Sequence, residues 1–321
     1  MKAHEPVPLE EIRAAHGRIA GAVLRTPLVR LSRDGAPAEI FLKLENLQPI
    51  GSFKLRGAGN AMCLADPEQL EKGVWTASAG NMAQGVAWYA RQLGVQCTVI
   101  VPDDAPATKL AAVQRLGAGI VKVPFSHYQD IQRRHSCEGM DGLLVHPFGD
   151  RAVMAGNGTL GLEILEDLPD VDAIVVPYGG GGLSCGIASA LRALRPEVKL
   201  YACEVETAAP LAASFAAGEP VDVDYRSSFV SGIGAPFVFP EMWSLASQLL
   251  DGSLVVTLRE VADAIRVMVE RNHIVAEGAG AVSVAAALAG KAGTGKVVCV
   301  VSGGNLSTED LVQILQGMVP Q

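Results

Sequence analysis

The sequence predicts an α/β fold built as two parallel-sheet units, and three observations carry that reading. Short apolar runs alternate with helical patterns along nearly the whole chain, as strands joined by crossover helices do. Several of these runs end at glycine or small polar residues and pass directly into a helix. The composition, 321 residues with 49% hydrophobic, 19% charged and 35 glycines, describes a large core cut by many tight turns. The length alone leads to roughly two domains.

Taken in order, Leu9, Ile12, His16, Ile19 and Val23 recur at helical spacing and predict an opening amphipathic helix. Arg25-Thr26-Pro27-Leu28 ends it, because a residue before proline is biased out of the α region. Residues 40–44 form a short strand leading to Gly51-Ser52-Phe53-Lys54-Leu55-Arg56-Gly57-Ala58. Strands follow at 74–77, 97–101, 120–123 and 143–145, with helices near 83–93, 106–116 and 127–137 between them. The Pro147-Phe148-Gly149 passage looks like a boundary. A second series places strands near 173–176, 199–203, 254–257 and 297–301. The helix near 183–195 stops at Pro196, and the Ala/Val-rich one near 278–289 must be buried.

Charge and composition narrow the function. Twenty-six basic against 34 acidic residues give a net charge of −8, and no basic cluster stands out. Nucleic acid and anionic membrane surfaces are therefore poor partners. No apolar run reaches membrane-span length, and Met1 to Pro6 shows no signal-peptide core. The six cysteines lack ligand or disulfide spacing, and Cys97, Cys203 and Cys299 lie in strand-like runs. A reducing, cytoplasmic setting follows.

Lys54 stands between a glycine–serine turn and a helical run, beside Phe53. Held near apolar surface, such an amine loses affinity for its proton and becomes a nucleophile suited to a carbonyl cofactor. The alternative is a lysine that snorkels from a helix end. After the 174–177 run come Tyr178, Gly179, Gly180, Gly181, Gly182 and Leu183, where backbone N–H groups and a helix N-terminus can crowd around a phosphate. Ser78-Ala79-Gly80-Asn81-Met82 precedes another helix, either as a plain cap or as a turn that receives a carboxylate. Val301-Ser302-Gly303-Gly304-Asn305 ends a third buried run. Two glycine motifs are set aside. Gly156-Asn157-Gly158-Thr159-Leu160-Gly161 reads as a turn before a helix at 160–168, and the segment from Gly290 to Val297 as a solvated turn.

Together, GSFKLRGA, SAGNMAQG, GGGGL and SGGN resemble the fold-type II pyridoxal-phosphate enzymes of the threonine/serine dehydratase and serine racemase group. VMAGNGTLGLEIL and VAEGAGAVSVAAAL extend the likeness over nearly the whole chain. The resemblance implies a large cofactor domain, residues 1–50 and 144–321, with a small domain, residues 51–143, inserted in it. It implies that Lys54 carries pyridoxal 5'-phosphate and then acts as the base at Cα. Phe53 would pack beside the ring, Asn81 would reach its phenolic oxygen, and Ser302 its pyridine nitrogen. Gly179 to Gly182, with Leu183, would hold the phosphate. Ser78, Ala79, Gly80, Asn81 and Met82 would hold the substrate carboxylate.

The implied activity is an ammonia-lyase for L-threonine or L-serine, in a cytoplasmic homodimer. The alternatives are dehydration of 3-hydroxyaspartate or phenylserine, serine racemisation, or a nucleotide-binding protein without chemistry. Ala79 stands where racemases of the group carry a second serine, so racemisation is not expected. Met82 replaces the usual histidine and makes the pocket less polar. Phe125-Ser126-His127-Tyr128 falls where the group meets the substrate's β-substituent. Glu204 matches an acidic residue that holds a divalent cation in some relatives, but Pro210 occupies the place of its partner aspartate. Feedback through a following regulatory domain is not expected.

Overall fold

The computed structural model describes residues 5–320, apart from the side chains of residues 107–109; the start of the Met1–Pro6 segment lies outside these. The chain opens with α1 (Leu9–Ile19), β1 (Leu28–Arg30), β2 (Glu39–Leu44) and α2 (Lys54–Leu64). Next come α3 (Pro67–Glu71), β3 (Val74–Ala77), α4 (Asn81–Leu93), β4 (Cys97–Pro102), α5 (Ala107–Arg115), β5 (Gly119–Val123), α6 (Phe125–Arg134) and β6 (Leu143–Leu144). The third run begins with α7 (Arg151–Asp167), β7 (Ala173–Pro177), α8 (Gly182–Leu194), β8 (Lys199–Val205) and α9 (Pro210–Ala217). It closes with α10 (Pro240–Leu249), β9 (Gly252–Val256), α11 (Leu258–Asn272), α12 (Gly278–Leu288), β10 (Lys296–Val301) and α13 (Thr308–Leu315).

These strands form two sheets, one of six strands in the order β1-β2-β10-β7-β8-β9 and one of four in the order β5-β4-β3-β6. Every neighbouring pair is parallel except β1 with β2. The α/β class with parallel sheets is as the alternation of apolar runs predicts. Strands β3 to β6 all lie between β2 and β7 in sequence, so one continuous stretch builds the smaller sheet.

The six-stranded sheet is covered on both faces, and the two-residue period of its strands decides which side chain goes where. Ile174 and Val176 join Ile187, Ala188 and Leu191 of α8 on one face. Ala173 and Val175 join Ala281, Val282 and Ala285 of α12 on the other. The near-continuous apolar runs read from the sequence are the consequence of this double burial. Cys203 and Cys299 are buried within it as small apolar side chains. Among the described residues no helix is long and apolar enough to cross a membrane.

Two expectations need correction. Helix α1 ends at Ile19 and does not run on to Arg25, because Gly21 adopts φ 86°. More consequentially, Gly156-Asn157-Gly158-Thr159-Leu160-Gly161 is no turn but the middle of α7. A Cβ at Gly156 would lie 2.3 Å from the Arg56 carbonyl oxygen of α2, and one at Gly158 would lie 2.7 Å from the Gly186 carbonyl oxygen of α8. Each glycine weakens an isolated helix by about 1 kcal/mol relative to alanine. Here they let three helices touch backbone to backbone, which fixes α2, and Lys54 with it, against α7. The segment from Gly290 to Gly295 is a turn that runs into β10, with Gly290 and Gly293 at positive φ.

Candidate active site

The ends of β3, β7 and β10 all give way to the segments singled out in the sequence. Strand β7 leads by α8 to β8 on one side, while β10 lies on its other side; a parallel sheet opens a crevice at such a switch point.

The lysine segment is tied to the end of β10. Ser52 pairs with Gly303 in an antiparallel bridge, and the Phe53 N–H donates to the Ser302 carbonyl at 3.0 Å. Gly51 makes the turn at φ 72°, where a Cβ would lie 2.7 Å from Asn305 Oδ1. Lys54 is then the first residue of α2. Its half-buried amine donates to the Pro147 carbonyl at 2.8 Å and stands 5.1 Å from the Phe53 ring centroid. Burial pushes its pKa down to about 8, partly opposed by the carboxylate of Glu277. This is a desolvated amine, not one extended into water.

The same Pro147–Phe148 corner meets two of the four glycines. A Cβ at Gly180 would sit 2.3 Å from the Phe148 ring, and one at Gly182 would sit 2.7 Å from the Phe148 carbonyl oxygen. Gly181 has φ 89° and precedes the 13-residue α8. Asn157 of α7 donates to the Gly182 carbonyl at 3.3 Å. At Gly180, Gly181 and Gly182 the loop is therefore a cradle that glycine alone fits without strain, with a helix N-terminus behind it. Leu183 is buried in the core beneath.

The turn after β3 is closed by a Gly80 N–H donating to Ser78 Oγ at 3.2 Å. Asn81 opens α4 and donates to Glu277 Oε1 at 2.6 Å, while its own Oδ1 accepts from Asn305 Nδ2 at 2.7 Å. Tyr128 Oη and Gln132 Nε2 each donate to the Ala77 carbonyl at 3.3 Å, which supports this turn from α6. The Met82 side chain is buried and packs with Leu55, Val86 and their neighbours in the core of the smaller unit.

Glu204 lies elsewhere, buried at the end of β8. Its oxygens accept from the Leu211 and Ala212 N–H groups at 2.9 and 2.8 Å and from Ser253 Oγ at 2.7 Å. It caps the start of α9, an arrangement favoured by the helix dipole. Among the described residues no group of three acidic, cysteine or histidine side chains is placed to hold a metal ion.

Beside the lysine helix lies a buried charge network. The guanidinium of Arg56 spans Glu45 at 2.8 Å and Glu163 at 2.6 Å, and Lys43 Nζ meets Glu163 at 2.8 Å. Three residues of the site itself were given no role from sequence. Glu277 lay inside a motif quoted for resemblance, Asn305 ended SGGN, and Phe148 was read as a boundary.

Residues 19–303 match the family model for pyridoxal-phosphate dependent enzymes. The chain belongs to that family. It is 39% identical over 320 residues to an L-threonine ammonia-lyase of Thermotoga maritima, covering 98% of this chain and 79% of that one. It is 37% identical over 309 residues to a catabolic L-threonine dehydratase of Staphylococcus aureus, covering 94% and 89%. Among solved structures, a maize serine racemase superposes with a TM-score of 0.89 at 33% identity, covering 97% of this chain and 98% of that one. A threonine deaminase from Solanum lycopersicum gives 0.84 at 29% identity, covering 99% and 96%. The fold is thus the fold-type II one, and the cofactor is pyridoxal 5'-phosphate.

The residues present fit that group. From Gly180 to Gly182 the loop leaves no room for side chains, its N–H groups and the start of α8 suit an anion, and the lysine amine held at the adjoining Pro147 is desolvated. Ser52, fully buried one residue before Phe53, has a hydroxyl oxygen without a hydrogen-bond partner among the described residues. A buried polar atom of that kind is satisfied most simply by a ligand or water.

Proposed function

We propose that this chain removes water from a small L-β-hydroxy-α-amino acid, L-threonine or L-serine, and releases a 2-oxo acid and ammonia. One observation carries the proposal: the amine of Lys54 meets Pro147 and the glycine cradle meets Phe148, the next residue along the chain. Relatives named L-threonine ammonia-lyase and dehydratase, matched over almost the whole chain, support it. The cleft would lie between a large unit, residues 1–50 and 144–321, and a small one, residues 51–143.

When bound, pyridoxal phosphate supplies an electron sink for the pair left at Cα. Lys54 would hold its aldehyde and would serve as the base for the Cα proton; a folded-state pKa of about 8 suits both roles near neutral pH. Gly179 to Gly182 and the N-terminus of α8 would hold the phosphate, with Leu183 beneath. Phe53 would pack beside the ring, and Asn81 would donate to the phenolic oxygen. Ser302 offers the pyridine nitrogen a hydroxyl, which cannot protonate it as a carboxylic acid would. Paired with a serine, the group would supply a modest sink, which suits expulsion of the β-hydroxyl better than transamination. The N–H groups and hydroxyl of the turn from Ser78 to Met82 receive the substrate carboxylate. The enamine released then adds water and loses ammonia.

Tyr128, whose hydroxyl donates to the Ala77 carbonyl just before that turn, and Phe125, its ring centroid 6.5 Å away, would suit a methyl group or hydrogen better than a carboxylate at the β-position. The enzyme would work as a cytoplasmic homodimer. Keto-acid release from a panel of β-hydroxy amino acids tests the reading. L-threonine and L-serine should lead, and a Lys54→Ala protein should be inactive. Purified protein that is colourless and stays so with added pyridoxal phosphate would overturn it.

A further inference from the structure

We infer that Asn305 is a positioning residue that fixes which end of the Asn81 amide faces the cofactor. The inference rests on the proposed contact of Asn81 with the phenolic oxygen. An asparagine amide presents a donor on one side and an acceptor on the other, and only its hydrogen-bond network decides which way it stands. Here the network has an unambiguous origin. The carbonyl of Ile50 can only accept, and Asn305 Nδ2 donates to it at 2.9 Å. That contact sets the Asn305 amide with its nitrogen toward Ile50 and Asn81. The same nitrogen donates to Asn81 Oδ1 at 2.7 Å, so Asn81 must turn its oxygen toward Asn305.

The donor end of Asn81 is thereby committed to the opposite side. There one N–H meets Glu277 Oε1 at 2.6 Å, and the second is left for a ligand oxygen. A carboxylate can only accept, so Glu277 fixes the far end of the relay as Ile50 fixes the near end. The backbone makes room for this chain of contacts. Gly51 carries no Cβ where one would press on Asn305 Oδ1 at 2.7 Å. Gly303 carries none where one would lie 2.2 Å from Glu277 Oε1 and 3.3 Å from Asn81 Nδ2. The relay thus couples the turn that carries Lys54 to the first residue of the helix behind the substrate turn.

Asn305 is exposed on its outer side, so truncating it opens no core cavity. Its substitutions should therefore be read through Asn81. Asn305→Ala removes the constraint and leaves the amide able to turn over. Asn305→Asp keeps the shape but replaces the donor with an acceptor. It repels the Ile50 carbonyl and draws the Asn81 N–H₂ toward itself, which turns Asn81 Oδ1 toward Glu277 and the phenolic oxygen.

The test uses holoenzyme. The position of its visible absorption band and the dissociation constant for pyridoxal phosphate are measured for wild type, Asn81→Ala, Asn305→Ala, Asn305→Asp and the Asn81→Ala/Asn305→Ala pair. Loss of one hydrogen bond to a charged oxygen corresponds to about a tenfold weaker retention. Asn81→Ala should show roughly that loss and a shifted band. Asn305→Ala should shift the band the same way with a smaller loss, and Asn305→Asp should be worse than Asn305→Ala. Adding Asn305→Ala to Asn81→Ala should change nothing further, since Asn305 acts only through that amide. A general structural role predicts the reverse, with aspartate milder than alanine and losses that multiply in the pair, and either result overturns the inference. A wild-type band and affinity in both Asn305 variants would do the same. If wild type itself shows no cofactor band, the fault lies with the proposed function and not with the relay.

Discussion

Replacing Lys54 by methionine should make the cofactor-free protein more stable at neutral pH, an unusual outcome for loss of the proposed catalytic residue. In the unfolded chain the amine holds its proton up to about 10.5, whereas burial in the fold brings this down to about 8. Between those two values the unfolded chain binds more protons than the folded one, so stability rises with pH across the window. Below about 8 the full cost of housing the amine is present. The gap corresponds to roughly 3 kcal/mol, from which the lost hydrogen bond to the Pro147 carbonyl takes back about 1 kcal/mol. Methionine keeps an unbranched apolar stem in the same space. Urea unfolding of both proteins at pH 6.5, 8, 9.5 and 10.5 should therefore show Lys54→Met ahead by roughly 2 kcal/mol at the two lower values. The advantage should shrink as pH rises and vanish near 10.5. A variant no more stable than wild type at pH 6.5, or a difference that ignores pH, would refute the desolvated amine.

Other outcomes follow from the same geometry. Gly180→Ala should weaken pyridoxal phosphate binding by at least about tenfold in an equilibrium titration, because its Cβ would have to displace the Phe148 ring at 2.3 Å. Arg56→Met leaves Glu45 and Glu163 buried with one cation fewer, and denaturant melts should record a loss of about 3–5 kcal/mol. A loss under about 1 kcal/mol would show that the network is not needed to hold α2. With L-serine as substrate, chiral chromatography should find keto acid accumulating without D-serine. Ala79 has no proton to deliver, and D-serine in amounts rivalling the keto acid would sink that reasoning.

Much of the fold was legible because burial on both faces of a parallel sheet leaves a strong local mark. Strand β3 is found at the residues its apolar run predicts, and β7 and β10 within one residue. Helix α7 was misread because glycine carries two opposite meanings. Locally Gly156 and Gly158 weaken a helix; in the fold they admit the backbones of α2 and α8, a tertiary fact with no local signature. The site divides in the same way. The four glycines and Ser302 stand at strand ends, where ligands gather, and Lys54 opens a helix beside an aromatic ring, so each announces itself. Phe148 looked like a boundary because Pro and Gly flank it, although its ring and carbonyl shape the cradle. Glu277 and Asn305 act by holding Asn81 from elements nearly 200 residues and more away, and only the folded chain shows that they meet it. Glu204 matched a motif, yet its partners are the start of α9 and Ser253.

The central claim is that one amine, turned inward toward a cradle of four glycines, holds the cofactor aldehyde. Borohydride reduction of the holoenzyme followed by peptide mass spectrometry tests it most directly. The reduced cofactor's mass should appear on the peptide containing Lys54 and on no other lysine in comparable yield. Attachment spread over surface lysines, or centred on another residue, would contradict the account.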